Sequence, residues 1–180
     1  MFKTDILFIY LFIHLENPIS LLDCRALAES VHHVQATLEN LELHINIYSV
    51  YAEKVEYISI YPVTGHLPLR ELTNLRRLKV PLVMLFGWFP EEAPSMAEVL
   101  PVSLTHPYLT EDLRMQCTYE WREELVLAKL GEYYKNIKEA APALEVFEFK
   151  PNRYDDQRGG DLEERLSAMC GEAGIQCIIH

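Results

Sequence analysis

Basic residues are scarce in this sequence: 16 Lys and Arg stand against 27 Asp and Glu, giving a formal net charge of −11 and a pI near 5.1. Phosphate recognition needs clustered cations that displace condensed counterions, so nucleic acid and an anionic membrane surface are not expected partners. A C-x-x-C pair is missing as well. Cys24, Cys117, Cys170 and Cys177 are spread along the chain, which suggests neither a structural zinc site nor a dense disulfide framework. Reduced thiols are the expectation, and with them a cytoplasmic or nuclear setting. Cys170, Cys177 and His180 come nearest to metal spacing, but they make a weak ligand set, and no metal or cofactor is expected. No apolar run reaches the roughly 20 residues that cross a bilayer. The run from Ile6 to Ile13 follows Lys3 as a signal-peptide core would. Asp5 before it and His14, Glu16 and Asn17 behind it argue against that, and a buried strand is expected.

Catalytic signatures are also missing. The chain has no G-x-S-x-G elbow, H-E-x-x-H pair, Walker loop or G-x-G-x-x-G turn. Glu91 and Glu92, and Glu120, Glu123 and Glu124, read as solvated acidic faces. His32 and His33 are adjacent, so they point to different sides of a helix, where an i, i+4 pair would be needed to bind metal. His44, His66 and His106 are isolated and read as ordinary surface or loop histidines. The expectation is therefore a protein that is not an enzyme.

What the chain does have is leucine in a recurring phrase. With 49% hydrophobic content it can build a sizeable core, and one domain over residues 1–180 is expected. The pattern L-x-x-L-x-L recurs at Leu38, Leu41 and Leu43, at Leu75, Leu78 and Val80, and at Leu144, Phe147 and Phe149. A damaged copy at Leu104, Pro107 and Leu109 puts proline at the central position, which predicts a distorted or edge strand because proline cannot donate to a ladder. Looser matches lie at Val55, Ile58 and Ile60 and at Ile6, Ile9 and Leu11.

Between these phrases lie helical signals. Pro18 to about His33 carries Leu22, Leu27, Val31 and Val34. Ser95 with Glu98 makes a capping box, and Asp161 with Glu164 makes another. Thr118 to Ala140 is a long amphipathic stretch with Trp121, Leu125, Ala128, Leu130, Tyr134 and Ile137, ended by Pro142. A final strand is expected at Ile175 to Ile179, and residues 151–160 read as an exposed loop.

Strand and return segment in alternation predict an α/β fold: an irregular leucine-rich-repeat solenoid, with a short parallel sheet on its concave side and helices outside. Residues 1–37 would form an atypical N-terminal cap, 38–150 the repeats, and 151–180 a loop, helix and final strand cap. The intervals of 37, 29 and 40 residues between Leu38, Leu75, Leu104 and Leu144 are longer than the usual 20–29 or so, and the 37-residue interval invites a split at Val55. In this register the residues between core positions face outward. Asn40, Glu42, His44, Arg77, Lys79, His106, Tyr108, Thr110, Val146, Glu148 and Lys150 then form a mixed-charge stripe suited to a protein partner. Trp88, ahead of a proline-bounded loop, reads either as a buried aromatic in the wall between coils or, if exposed, as a further candidate anchor.

The phrases LRELTNLRRLKVPLVML (Leu69 to Leu85), LPVSLTHPYLTEDL (Leu100 to Leu113) and APALEVFEF (Ala141 to Phe149) resemble fungal leucine-rich-repeat proteins related to F-box substrate receptors. The resemblance covers roughly the last two thirds of the chain and implies a substrate-recognition arm. An F-box opening of the L-P-x-E type is not seen before Leu38, so a ubiquitin-ligase adaptor is an expected partner only of a longer form. Two other readings stay open: a small α/β enzyme with an open sheet, and a truncated gene product without independent function.

Overall fold

The computed structural model describes residues 5–14, 22–48, 62–113, 118–151 and 159–180. Its elements follow in the order β1 (Asp5–His14), β2 (Leu22–Asp23), α1 (Cys24–His32), β3 (Leu38–Tyr48), β4 (Val63–Thr64), β5 (Arg77–Pro81) and α2 (Leu82–Phe86). Then come a 3-10 turn (Pro90–Glu92), α3 (Met96–Val99), β6 (His106–Thr110), α4 (Glu123–Lys135), α5 (Ile137–Ala140), β7 (Val146–Lys150), α6 (Gly159–Ala173) and β8 (Gln176–Ile179). Six strands make one open sheet in the order β1-β3-β5-β6-β7-β8, parallel at each junction, and β2 and β4 pair separately. The fold is thus mixed α/β, with a parallel sheet and helices and no barrel.

The leucine phrases set the phase of the sheet. Leu41 pairs with Leu78, Leu78 with Pro107, and Leu109 with Phe149; these side chains are all buried. Leu41, Leu78, Leu109 and Phe149 join one core cluster with Cys24, Ala28 and Val31 of α1, Leu127 and Leu130 of α4, and Leu162, Leu166 and Cys170 of α6. Since side chains alternate across a strand, burying these residues turns their neighbours to the other, open face. A backbone bond also recurs at a fixed offset from the first leucine of each phrase. Arg76 N donates to Glu39 O, Thr105 N to Arg76 O and Glu145 N to Thr105 O, at 2.8–3.1 Å.

Several sequence expectations need correction. Pro107 sits in a regular interior strand, neither distorted nor at an edge. Proline removes a single donor, while His106 N→Arg76 O and Glu111 N→Lys150 O hold the ladder around it, and its ring fills a buried position. In β1 the inward residues are Leu7, Ile9 and Leu11, opposite Leu41, Leu43 and Ile45. The looser phrase had placed Ile6 inward. An unbroken apolar run has no period to fix its phase, so only pairing with β3 decides it. In the sheet β3 pairs directly with β5, and Val55, Ile58 and Ile60 lie outside the described residues.

Helix α1 starts later than expected because Asp23 caps it, its carboxylate accepting from Arg25 N (2.9 Å) and Ala26 N (3.4 Å). Leu22 belongs to β2, and the buried face is Cys24, Ala28 and Val31 at four- and three-residue steps. The long amphipathic stretch begins at Glu123 and breaks at Asn136, and it buries Val126, Leu127, Leu130, Tyr133 and Tyr134, leaving Leu125 exposed. The Ser95–Glu98 capping box forms. The one expected at Asp161 does not: α6 starts at Gly159, so Asp161 lies inside the first turn and accepts from Arg165 one turn on.

Candidate functional site

The open face of the sheet is laid out by strand register. One cross-sheet row reads Ile6, Asn40, Arg77, His106; the next reads Phe8, Glu42, Lys79, Tyr108, Glu148, Ile178. A cleft of about 430 Å³ opens over these rows. Of the sequence candidates it brings together Asn40, Glu42, Arg77, Lys79, His106, Tyr108 and Glu148.

Charge in the second row is internally compensated. Glu42 Oε1 accepts from Lys79 Nζ and meets His44 Nε2, both at 2.7 Å. Glu148 meets His106 Nε2 through Oε1 at 2.8 Å and His180 Nε2 through Oε2 at 2.7 Å. Partial burial pushes each carboxyl up, but hydrogen bonds and charge from these partners together outweigh it. Glu42, through Lys79 and His44, and Glu148, through His180 and His106, end below the ordinary carboxylate value. Aromatic rings link the two clusters. Lys79 Nζ lies 5.1 Å from the Tyr108 ring centre, Tyr108 stacks on His180 at 4.9 Å, and Tyr10 stacks on His44 at 4.9 Å. Burial raises the Tyr108 hydroxyl, with Lys79 pulling the other way and nearby Glu148 adding to the rise.

Arg77 differs from its neighbours. It is exposed, and among the described residues no carboxylate pairs with it. Its row carries an amide, an imidazole and an aliphatic side chain, and no acid. Two strands away β1 presents a ridge that is apolar and aromatic, with Ile6 57%, Phe8 55% and Tyr10 59% exposed.

Two candidates do not belong to this face. Trp88 is 2% exposed: its Nε1 donates to Thr118 O at 2.9 Å, while Trp121 Nε1 donates to Gly87 O at 3.0 Å. The two indoles brace the loop after α2 against the segment before α4, so Trp88 is a structural residue and not an exposed anchor. Gly87 makes the turn possible, since φ +87 with ψ 172 is a backbone region that side chains exclude. Thr110 is 3% exposed and its Oγ1 has no hydrogen-bond partner among the described residues. It ends β6 between Pro81 and Lys150, buried although it shares the strand parity of Tyr108. Lys150 and Val146 stay on the open side, outside the cleft.

Sequence reasoning missed His180 and the β1 ridge. Residues 176, 178 and 180 share the parity of Glu148 across β7–β8, a signal available once that strand was phased. The same parity separates the C-terminal cysteines from His180: Cys177 pairs with Phe147 toward the core, and His180 bonds Glu148 on the other face. Among the described residues no three His, Cys, Asp or Glu side chains converge as metal ligands. A second cleft, of about 410 Å³, lies beside Thr64, His66 and Glu92. There burial, then Arg25, lowers the His66 pKa, partly opposed by Glu98.

No helix among the described residues is long and apolar enough to cross a membrane. Comparison with family models, with curated proteins and with solved structures finds no match to this chain.

Proposed function

We propose that this chain is a non-catalytic protein-recognition module, an irregular leucine-rich-repeat solenoid akin to the substrate-recognition arm of F-box-type receptors. The observation that carries the reading is the recurrence of one backbone bond at one offset. Residues 39, 76 and 105, each following the first leucine of its phrase, accept a bond from the residue at the same place in the next phrase. Chain order and sheet order then coincide, as stacked repeats require. Recognition falls to the open face, whose Tyr108, Arg77 and β1 aromatics are the residue types that dominate interface energetics. In a longer form carrying an F-box, a ubiquitin-ligase adaptor would be the second partner, and a cytoplasmic or nuclear setting follows from that role.

The test is affinity capture from a fungal cell extract with the intact chain, with Arg77→Glu/Lys79→Glu on the open face, and with Glu124→Lys on the exposed side of α4. Loss of captured proteins in the double variant alone is expected, with its melting temperature within a few degrees of the parent because surface charge changes cost about 1 kcal/mol or less. Equal capture by all three chains would refute the recognition reading. Capture of the adaptor by the full-length transcript product tests the ligase assignment separately.

A further inference from the structure

We infer that the cleft over β3, β5 and β6 docks an extended peptide in which an Asp or Glu carboxylate lies about three residues from a large apolar side chain. The inference rests on the recognition reading above and names its ligand class.

The argument is one of charge complementarity. The acids lining the cleft, Glu42 and Glu148, are each held by two partners, so neither is left to attract a cation. Arg77 stands apart, exposed, flanked in its row by Asn40 and His106. An incoming carboxylate would meet a guanidinium fork, the donor best matched to it in geometry, with the Asn40 amide as a neighbouring donor. In the same row, two strands away, Ile6 is exposed, with Phe8 beside it. Two strand spacings are about 10 Å, which is about the length of three residues of a polyproline II chain, whose side chains return to one face every third residue. A peptide crossing the strands can therefore seat its acid on Arg77 and its apolar side chain on Ile6 and Phe8 together. A second copy of this chain is the poorer occupant, because it brings a net charge of −11 against −11, whereas a short segment brings only its own acid.

The experiment is selection of random linear peptides displayed on phage against the intact chain, followed by titration of the selected peptides by fluorescence anisotropy. Enriched sequences are expected to share the acid and the apolar residue at that spacing. Binding should fall about tenfold or more in Arg77→Glu and fall also in Phe8→Ser. A peptide whose acid is replaced by Lys should regain affinity for Arg77→Glu, which separates a direct ion pair from general damage to the face. Enriched peptides without an acid, binding indifferent to Arg77→Glu, or no enrichment would each overturn the proposal. So would a concentration-dependent dimer, seen by sedimentation and lost in Phe8→Ser, because the ridge would then be covered by the chain itself. These failures leave the recognition reading intact if capture still depends on the open face; equal capture by all variants would end both.

Discussion

Strand β5 holds two different kinds of chemistry one residue apart. Leu78 and Val80 are fully buried, while Arg77 is exposed and Lys79 half-buried on the other side of the same backbone. The inward set is held by shape: apolar groups in one continuous cluster, where a lost methylene leaves a hole. The outward set is held by compensation, with each acid in the cleft answered by a base or an imidazole. The two sets can therefore change independently, so that stability resides on one face and, in the proposed function, partner choice on the other.

The largest expected effect breaks the comparison from the inward side. Phe147 is fully buried and meets Tyr134 edge-on at 5.8 Å. Phe147→Ala should cost about 3–5 kcal/mol in urea unfolding, against less than about 1 kcal/mol for Lys79→Ala on the open face. Similar losses for the two substitutions would mean that the faces are not energetically distinct.

Trp88→Phe gives an intermediate effect, because it keeps a ring in the core and removes only the indole donor to Thr118 O. A loss of about 1–2 kcal/mol is expected, together with a change in the fluorescence of Trp121, which is bonded to the same turn through Gly87 O. Binding to an open-face partner should be unchanged at temperatures where the variant is folded. Weakened binding without destabilisation would return Trp88 to the recognition surface.

Much of the open face was legible because leucine spacing carries phase. Once Leu41, Leu78, Leu109 and Phe147 point inward, the pleat turns Glu42, Lys79, Tyr108 and Glu148 outward with no further information. What the spacing could not supply were contacts between strands. That Lys79 answers Glu42, or that His106 and His180 share Glu148, depends on which strands are neighbours and in what register. Trp88 was left open between two readings because a tryptophan beside a proline-rich loop looks the same whether its indole meets water or a carbonyl 30 residues away. Ile6 was misplaced because a run apolar on both faces has no alternation to read.

The smallest effect sharpens the comparison by its pH dependence. Glu148 has a lowered pKa in the folded protein: burial raises it, and hydrogen bonds from His180 and His106 more than offset that. A carboxyl depressed on folding contributes stability that is fully present above its unfolded value, near 4.5, and is lost as the pH falls through its folded value. Glu148→Gln removes that contribution, so its urea midpoint should fall less steeply than the parent's between about pH 5 and pH 3, with a difference below about 1 kcal/mol at neutral pH. Phe147→Ala, which changes no titrating group, should instead displace the whole profile downward with its slope unchanged. An acid limb equally steep in Glu148→Gln and in the parent would show that the pairs Glu148 makes with His106 and His180 contribute nothing to folding.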